Sequence, residues 1–157
     1  MKQNSRYIAS KGALALYGGL FKSVVQEVGL EKALAMHGSL WSSMGNASVA
    51  MLKETLGRKK LSLAAWQSIE EEFCQQFGMG AEFIRRGSTL SVRTADCPIY
   101  AGWKEAGLDH STIESMCNTM AVAIYGEIRK DFPQLSGSLK FRETLDKACV
   151  EEFVLLK

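Results

Sequence analysis

Between Ser10 and Val28 the apolar residues Leu14, Tyr17, Leu20 or Phe21, Val24 and Val28 recur at spacings of three and four, the period that gathers them on one side of an α-helix. Gly29 is placed to end that helix. The same period resumes from Leu30 to about Leu56, through Leu34, His37, Trp41, Met44, Met51 and Leu52, and Gly57 with the basic run Arg58, Lys59, Lys60 closes it. Gly38 and Gly45 inside this stretch each cost about 1 kcal/mol relative to alanine, so a bend or a break is expected near them. Ser62 has the chemistry of an N-cap for a third helix, whose stripe runs Leu63, Trp66, Ile69 or Glu70, Phe73 and Phe77 before Gly78 and Gly80 stop it.

The period then drops to two. Phe83 to Arg86, a Gly87-Ser88 turn, and Thr89 to Thr94, where Leu90 and Val92 alternate with Ser91 and Arg93, predict a β-hairpin that ends at Asp96, Cys97 and Pro98. A short helix from Pro98 to about Ala106 follows, stopped by Gly107. Ser111 and Glu114 have the spacing of a capping box and open a fifth helix with Ile113, Met116, Cys117, Met120, Ile124 and Ile128 on one face, up to Phe132-Pro133. Two further strands are expected at about Gly137 to Phe141 and Val150 to Leu156, with the stretch between them equally open to a helical turn. Helices followed by strands, rather than alternating units, indicate the α+β class. The expectation is one domain over 1–157, helical over 1–80 and α+β over 81–157, with a small antiparallel sheet of about four strands covered by the fourth and fifth helices.

Composition narrows the functional classes. Nineteen basic against seventeen acidic residues leave a formal charge of +2, far from the basic excess of a domain that neutralises many phosphates, so no nucleic-acid partner is expected. The amino-terminal MKQNSRYIAS lacks the apolar core of a secretory signal, and no run approaches the ~18 apolar residues of a membrane span. A cytoplasmic protein with no membrane partner is expected, its partner a small-molecule substrate or ligand, with homo-oligomerisation left open. The four cysteines stand singly, without a C-x-x-C pair, and read as thiols.

Cys97 is the most informative position. Pro98 suits the first position of a helix, which makes Cys97 its N-cap and sets the sulfur against unpaired backbone N–H groups that would lower its pKa. A nucleophile and an inert, buried cysteine are the two readings. Cys117 lies on the apolar stripe of the fifth helix, where a free cysteine packs as a small hydrophobe or joins a site. His110, in an expected loop, is a candidate general base or a solvated side chain. His37, on an apolar face, reads as a core histidine bonded to a backbone carbonyl rather than a metal ligand. No Cys or His spacing marks a zinc site, and neither a metal nor another cofactor is expected. Arg93 and Arg142 are candidate clamps for a substrate carboxylate if they reach one cavity. Trp41, Trp66 and Met44 have the spacing of core residues.

Cys97-Pro98-Ile99-Tyr100, then Trp103-Lys104-Glu105-Ala106-Gly107, Cys117, Phe132-Pro133-Gln134-Leu135 and a late Cys149, together with Gly29 to Ala33 in the helical half, resemble the L-2-amino-thiazoline-4-carboxylic acid hydrolase-like family over most of the chain. The strand, Cys-Pro, helix layout also looks, more distantly, like the small-molecule-binding domain related to 4-vinyl reductase proteins. The resemblance implies hydrolysis of a cyclic amidine-like C=N bond that opens a thiazoline ring to N-carbamoyl cysteine. It makes Cys97 and Cys117 the matching cysteines; beside them His110 stands as a further catalytic candidate, and Trp103, with Arg93 and Arg142, as a candidate substrate contact. Two positions depart from the pattern: Met120 stands where members often carry an Asp, and Lys147-Ala148-Cys149 stands where they often have a Gly-Asp-x-x-Cys tail. A non-catalytic ligand-binding or sensor module is the alternative from a different class.

Overall fold

The computed structural model describes residues 4–57, 60–144 and 147–156; Met1 to Gln3 of the amino-terminal stretch, and Arg58 and Lys59 of the basic run expected to close the second helix, lie outside them. The elements run α1 (Ser5–Val28), α2 (Leu30–Leu56), α3 (Leu63–Phe77), β1 (Gly80–Arg86), β2 (Thr89–Asp96), α4 (Pro98–Glu105), α5 (His110–Asp131), β3 (Leu135–Lys140) and β4 (Cys149–Leu155). The class is α+β, with the expected four-stranded antiparallel sheet.

Caps account for most helix boundaries. α1 starts at Ser5 rather than Ser10 because the Asn4 side chain accepts the Tyr7 N–H at 2.7 Å, a signal that apolar spacing does not carry. Gly29, at φ 83°, ends α1 and opens α2. α2 runs unbroken through Gly38 and Gly45. Gly45 is a crossing point rather than a break, since a Cβ there would fall 2.9 Å from the Ile124 carbonyl oxygen of α5. Ser62 caps α3 as expected, accepting the Ala65 N–H at 3.2 Å. The cap of α5 is Asp109, not Ser111: its carboxylate accepts the Thr112 N–H at 2.7 Å and the Ser111 hydroxyl at 2.8 Å. A carboxylate at the positive end of a helix outcompetes a hydroxyl for that role.

The strand order is β1-β2-β4-β3, so β4 lies between the hairpin and β3. Leu90 pairs with Phe153, and Phe153 with Gly137. Leu90, Val92 and Phe153 are buried on one face, where Trp66 and Ile69 of α3 and Ile128 of α5 meet them. α3 therefore takes the covering role expected of α4, which packs instead on α1. There Gly102 permits backbone contact, a Cβ at that position falling 2.5 Å from the Lys11 carbonyl oxygen. Among the described residues no helix is long and apolar enough to cross a membrane.

Candidate functional site

Between the helices and the sheet lies a cavity of about 80 Å³. Met44 and Ser48 come from α2, and Trp66, Ile69, Glu70, Phe73 and Cys74 from α3. Thr94 of β2, Cys97 and Ile99 line it at the start of α4, and Cys117, Met120, Ala121, Ile124 and Tyr125 from α5. Met79, Leu139, Cys149 and Glu151 complete the wall. All four cysteines of the chain meet here, although no two are neighbours in sequence.

Cys97 is the N-cap of α4, with extended backbone (φ −110°, ψ 112°) and Pro98 behind it, as the sequence suggests. Its acidity runs opposite to expectation. Burial pushes the thiol up to about 11, outweighing the N–H groups of Tyr100 and Ile99 and the charge of Arg142, which all favour the thiolate. A helix end is worth little against desolvation once the sulfur leaves water. Burial also holds Cys117 well above the ordinary thiol range and Cys74 up to about 12. Cys149 is half-buried and accepts a hydrogen bond from Arg142 Nε at 3.4 Å.

The other candidates separate. Arg142 is buried and donates from one terminal nitrogen to the Thr94 and Ala95 carbonyls at 3.2 and 3.0 Å, with its guanidinium 4.6 Å above the Tyr100 ring. It braces the end of β2 next to Cys97. Arg93 points away from the covered face, 60% exposed, with Glu82 at 3.9 Å, so the two arginines are not brought together. Trp103 is fully buried against Tyr17 and His37 and is not part of the cavity wall. His110 is the first residue of α5 rather than a loop residue; it is exposed, with Nδ1 3.3 Å from the Tyr100 hydroxyl, and borders a separate surface hollow with Lys104 and Glu143. His37 is the core histidine expected: its Nε2 lies 3.0 Å from the Met116 carbonyl and its Nδ1 2.8 Å from the Tyr17 hydroxyl. Burial lowers its pKa to about 4 and keeps it neutral.

Sequence reasoning missed three residues of the wall. Glu70 is 9% exposed on the inward stripe of α3, and Glu151 lies on β4 two residues from Cys149 and two from Phe153. The Tyr125 hydroxyl of α5 donates a hydrogen bond to Glu151 Oε2. Burial, and for Glu70 also the neighbouring Glu151 charge, hold both carboxyls above the ordinary carboxylate range. The signal was present as a Glu at a core-stripe position of α3 and another at an inward position of β4. Among the described residues no group of three or more His, Cys, Asp or Glu side chains is placed to hold a metal ion.

Fold and site together define an α+β protein whose helices and four-stranded sheet close over a cavity lined by thiols and carboxyls. Residues 8–145 match the family described as L-2-amino-thiazoline-4-carboxylic acid hydrolase, and the chain belongs to that family. No curated protein matches it. Among solved structures it is similar to trafficking protein particle complex subunit 3 from Naegleria fowleri, covalently bound to palmitic acid, with 16% identity, 96% of each chain covered and a TM-score of 0.59. That likeness is one of fold.

Proposed function

We propose that the chain is a small-molecule hydrolase that opens a cyclic amidine-like substrate in this cavity, with Cys97 as nucleophile. The observation that carries the reading is the convergence of Cys97, at a helix N-terminus, with the carboxyls of Glu70 and Glu151 on one cavity wall. The family name supplies the reaction class. Addition of the Cys97 sulfur to the amidine carbon of a 2-amino-thiazoline, loss of the ring sulfur as a thiol, and release of the carbon by water sum to one water consumed and a carbamoyl product. The thiol is protonated at rest, so its proton must leave as the bond forms, and the ionised member of the carboxyl pair is the acceptor within the same cavity. His110, on a separate surface, and Trp103, in the core, take no part in this reading.

Incubation with 2-amino-thiazoline-4-carboxylate, followed by mass detection of the ring-opened product, tests the activity. Replacing Cys97 by Ser should abolish turnover while leaving the thermal midpoint nearly unchanged; an active Ser variant removes Cys97 from the mechanism.

A binding module without catalysis is the second reading. It is favoured by Met120, a thioether on the cavity wall where members of the family often carry an Asp, and by the raised thiols. The palmitate of the structurally similar subunit suggests acyl chains as an occupant, but about 80 Å³ is less than the ~150 Å³ that admits a benzene ring, so a ring-sized ligand enters only as side chains of the wall shift, and a long chain needs far more room. Ligand-induced stabilisation with unchanged ligand mass would decide for this second reading.

A further inference from the structure

We propose that Glu70 and Glu151 form a recognition site for the planar cationic head of a small ligand, an amidinium or isothiouronium group. The inference rests on the cavity being the small-molecule site, and adds the charge and shape of what enters it. Among the described residues the wall holds two carboxyls and no Lys, Arg or His. Glu70 is more than nine-tenths buried, lines the cavity, and has neither an ion pair nor a hydrogen bond to a donor among the described residues. A carboxyl so placed is costly unless something pairs with it. Glu151 is fixed from one side by the Tyr125 hydroxyl at Oε2. Trp66, on the same wall, buries its indole N–H without an acceptor. Glu70 and Trp66 of α3 and Glu151 of β4 therefore bound one small space, with the Trp66 N–H lacking an acceptor there.

Two carboxyls on one cavity wall favour a cation over an anion or a neutral group there. Burial, which keeps both above the usual carboxylate range, and the Glu151 charge that adds to it at Glu70, are offset when a cation enters. A planar amidinium presents N–H groups along two edges and so can donate to both carboxyls at once, which a spherical ammonium does less well.

The probe is 2-amino-2-thiazoline, a cyclic isothiouronium at neutral pH that lacks any carboxylate, against thiazolidin-2-one, its neutral isostere, each titrated calorimetrically into the full chain. The cation should bind at least tenfold more tightly than the neutral ring. Glu70→Gln and Glu151→Gln should each remove at least tenfold of that preference, with the neutral ring unaffected and the chain folded, its thermal midpoint no lower than the parent's. Equal binding of the two rings overturns the proposal, as does a folded Glu70→Gln chain that keeps its preference for the cation. Turnover of the thiazoline carboxylate without any cation preference would leave the hydrolase standing and this site refuted. Glu70-dependent cation binding without turnover would do the reverse. No binding of either ring overturns this site and leaves the turnover assay to judge the hydrolase.

Discussion

Cys97 shows how two local effects of opposite sign are ranked. The helix end and Arg142 pull its pKa down, burial pushes it up, and burial wins, leaving the thiol at about 11. A thiol of that acidity is ionised to roughly one part in ten thousand at pH 7, against a few per cent for an ordinary cysteine. Iodoacetamide labelling of Cys97 at pH 7, read by peptide mapping, should therefore be about a hundredfold slower than that of a small free thiol. Its rate should rise about tenfold per pH unit through pH 9.5. A rate that levels off by pH 8 would show an activated thiolate instead. The same balance explains which parts of the site were legible. Cys-Pro before a helix is a local signal, and the N-cap followed from it; burial is set by α3, α5 and β4, which no local spacing reveals. Glu70 could be placed on the inward stripe of α3 from the sequence, but not opposite Glu151, because that meeting depends on how β4 enters the sheet.

Between elements, glycines mark where backbones touch. A methyl group at Gly102 would fall 2.5 Å from the Lys11 carbonyl oxygen and 2.9 Å from the Ala15 nitrogen, both main-chain atoms of α1 that cannot swing aside. Gly102→Ala should therefore destabilise by about 1–3 kcal/mol, read as a fall in the denaturant midpoint. Gly126 of α5 has open space around its Cβ position, so Gly126→Ala should stabilise by up to about 1 kcal/mol. An unchanged midpoint for Gly102→Ala would mean that the α1–α4 contact is looser than the structure has it. The sequence treated Gly38 and Gly45 as places where α2 bends, since propensity alone counts a helical glycine as a defect. Packing reverses that reading at Gly45, where the missing side chain lets α5 approach.

For the molecule as a whole, buried titratable groups give stability two opposing dependences on pH. His37 titrates near 6.5 unfolded and near 4 folded, so the unfolded chain binds the extra proton between those values. The stability this contributes is fully present above pH 6.5, is lost as pH falls towards 4, and approaches about 3 kcal/mol. Glu70 and Glu151 act in the other direction. Their raised folded values make the folded chain hold protons that the unfolded chain releases, so their contribution is present below about pH 4.5 and is lost as pH rises through the folded values. Chemical denaturation from pH 4 to 8 should give a flatter acid limb for His37→Gln than for the parent chain. Glu70→Gln should gain on the parent at pH 8 but not at pH 4. Parallel curves for the parent and His37→Gln would mean that the imidazole is already charged inside the fold.

The position of β4 between β2 and β3 also governs what a ribosome must manage. Once Asp96 has emerged, the β1–β2 hairpin can close, yet the second edge of β2 has no partner until Cys149 to Leu155 are made. Throughout that interval the nascent chain presents a ready-formed strand edge, with Leu90 and Val92 still uncovered by Phe153. The outer edge at β1 is guarded by Glu82, Arg85 and Arg86, whereas β2 offers only Arg93 and Asp96 as charges along its length. Strand edges of this kind recruit other chains. Chaperone dependence during synthesis should therefore concentrate in the window between these two strands, and a product arrested before β4 should aggregate where the finished chain does not.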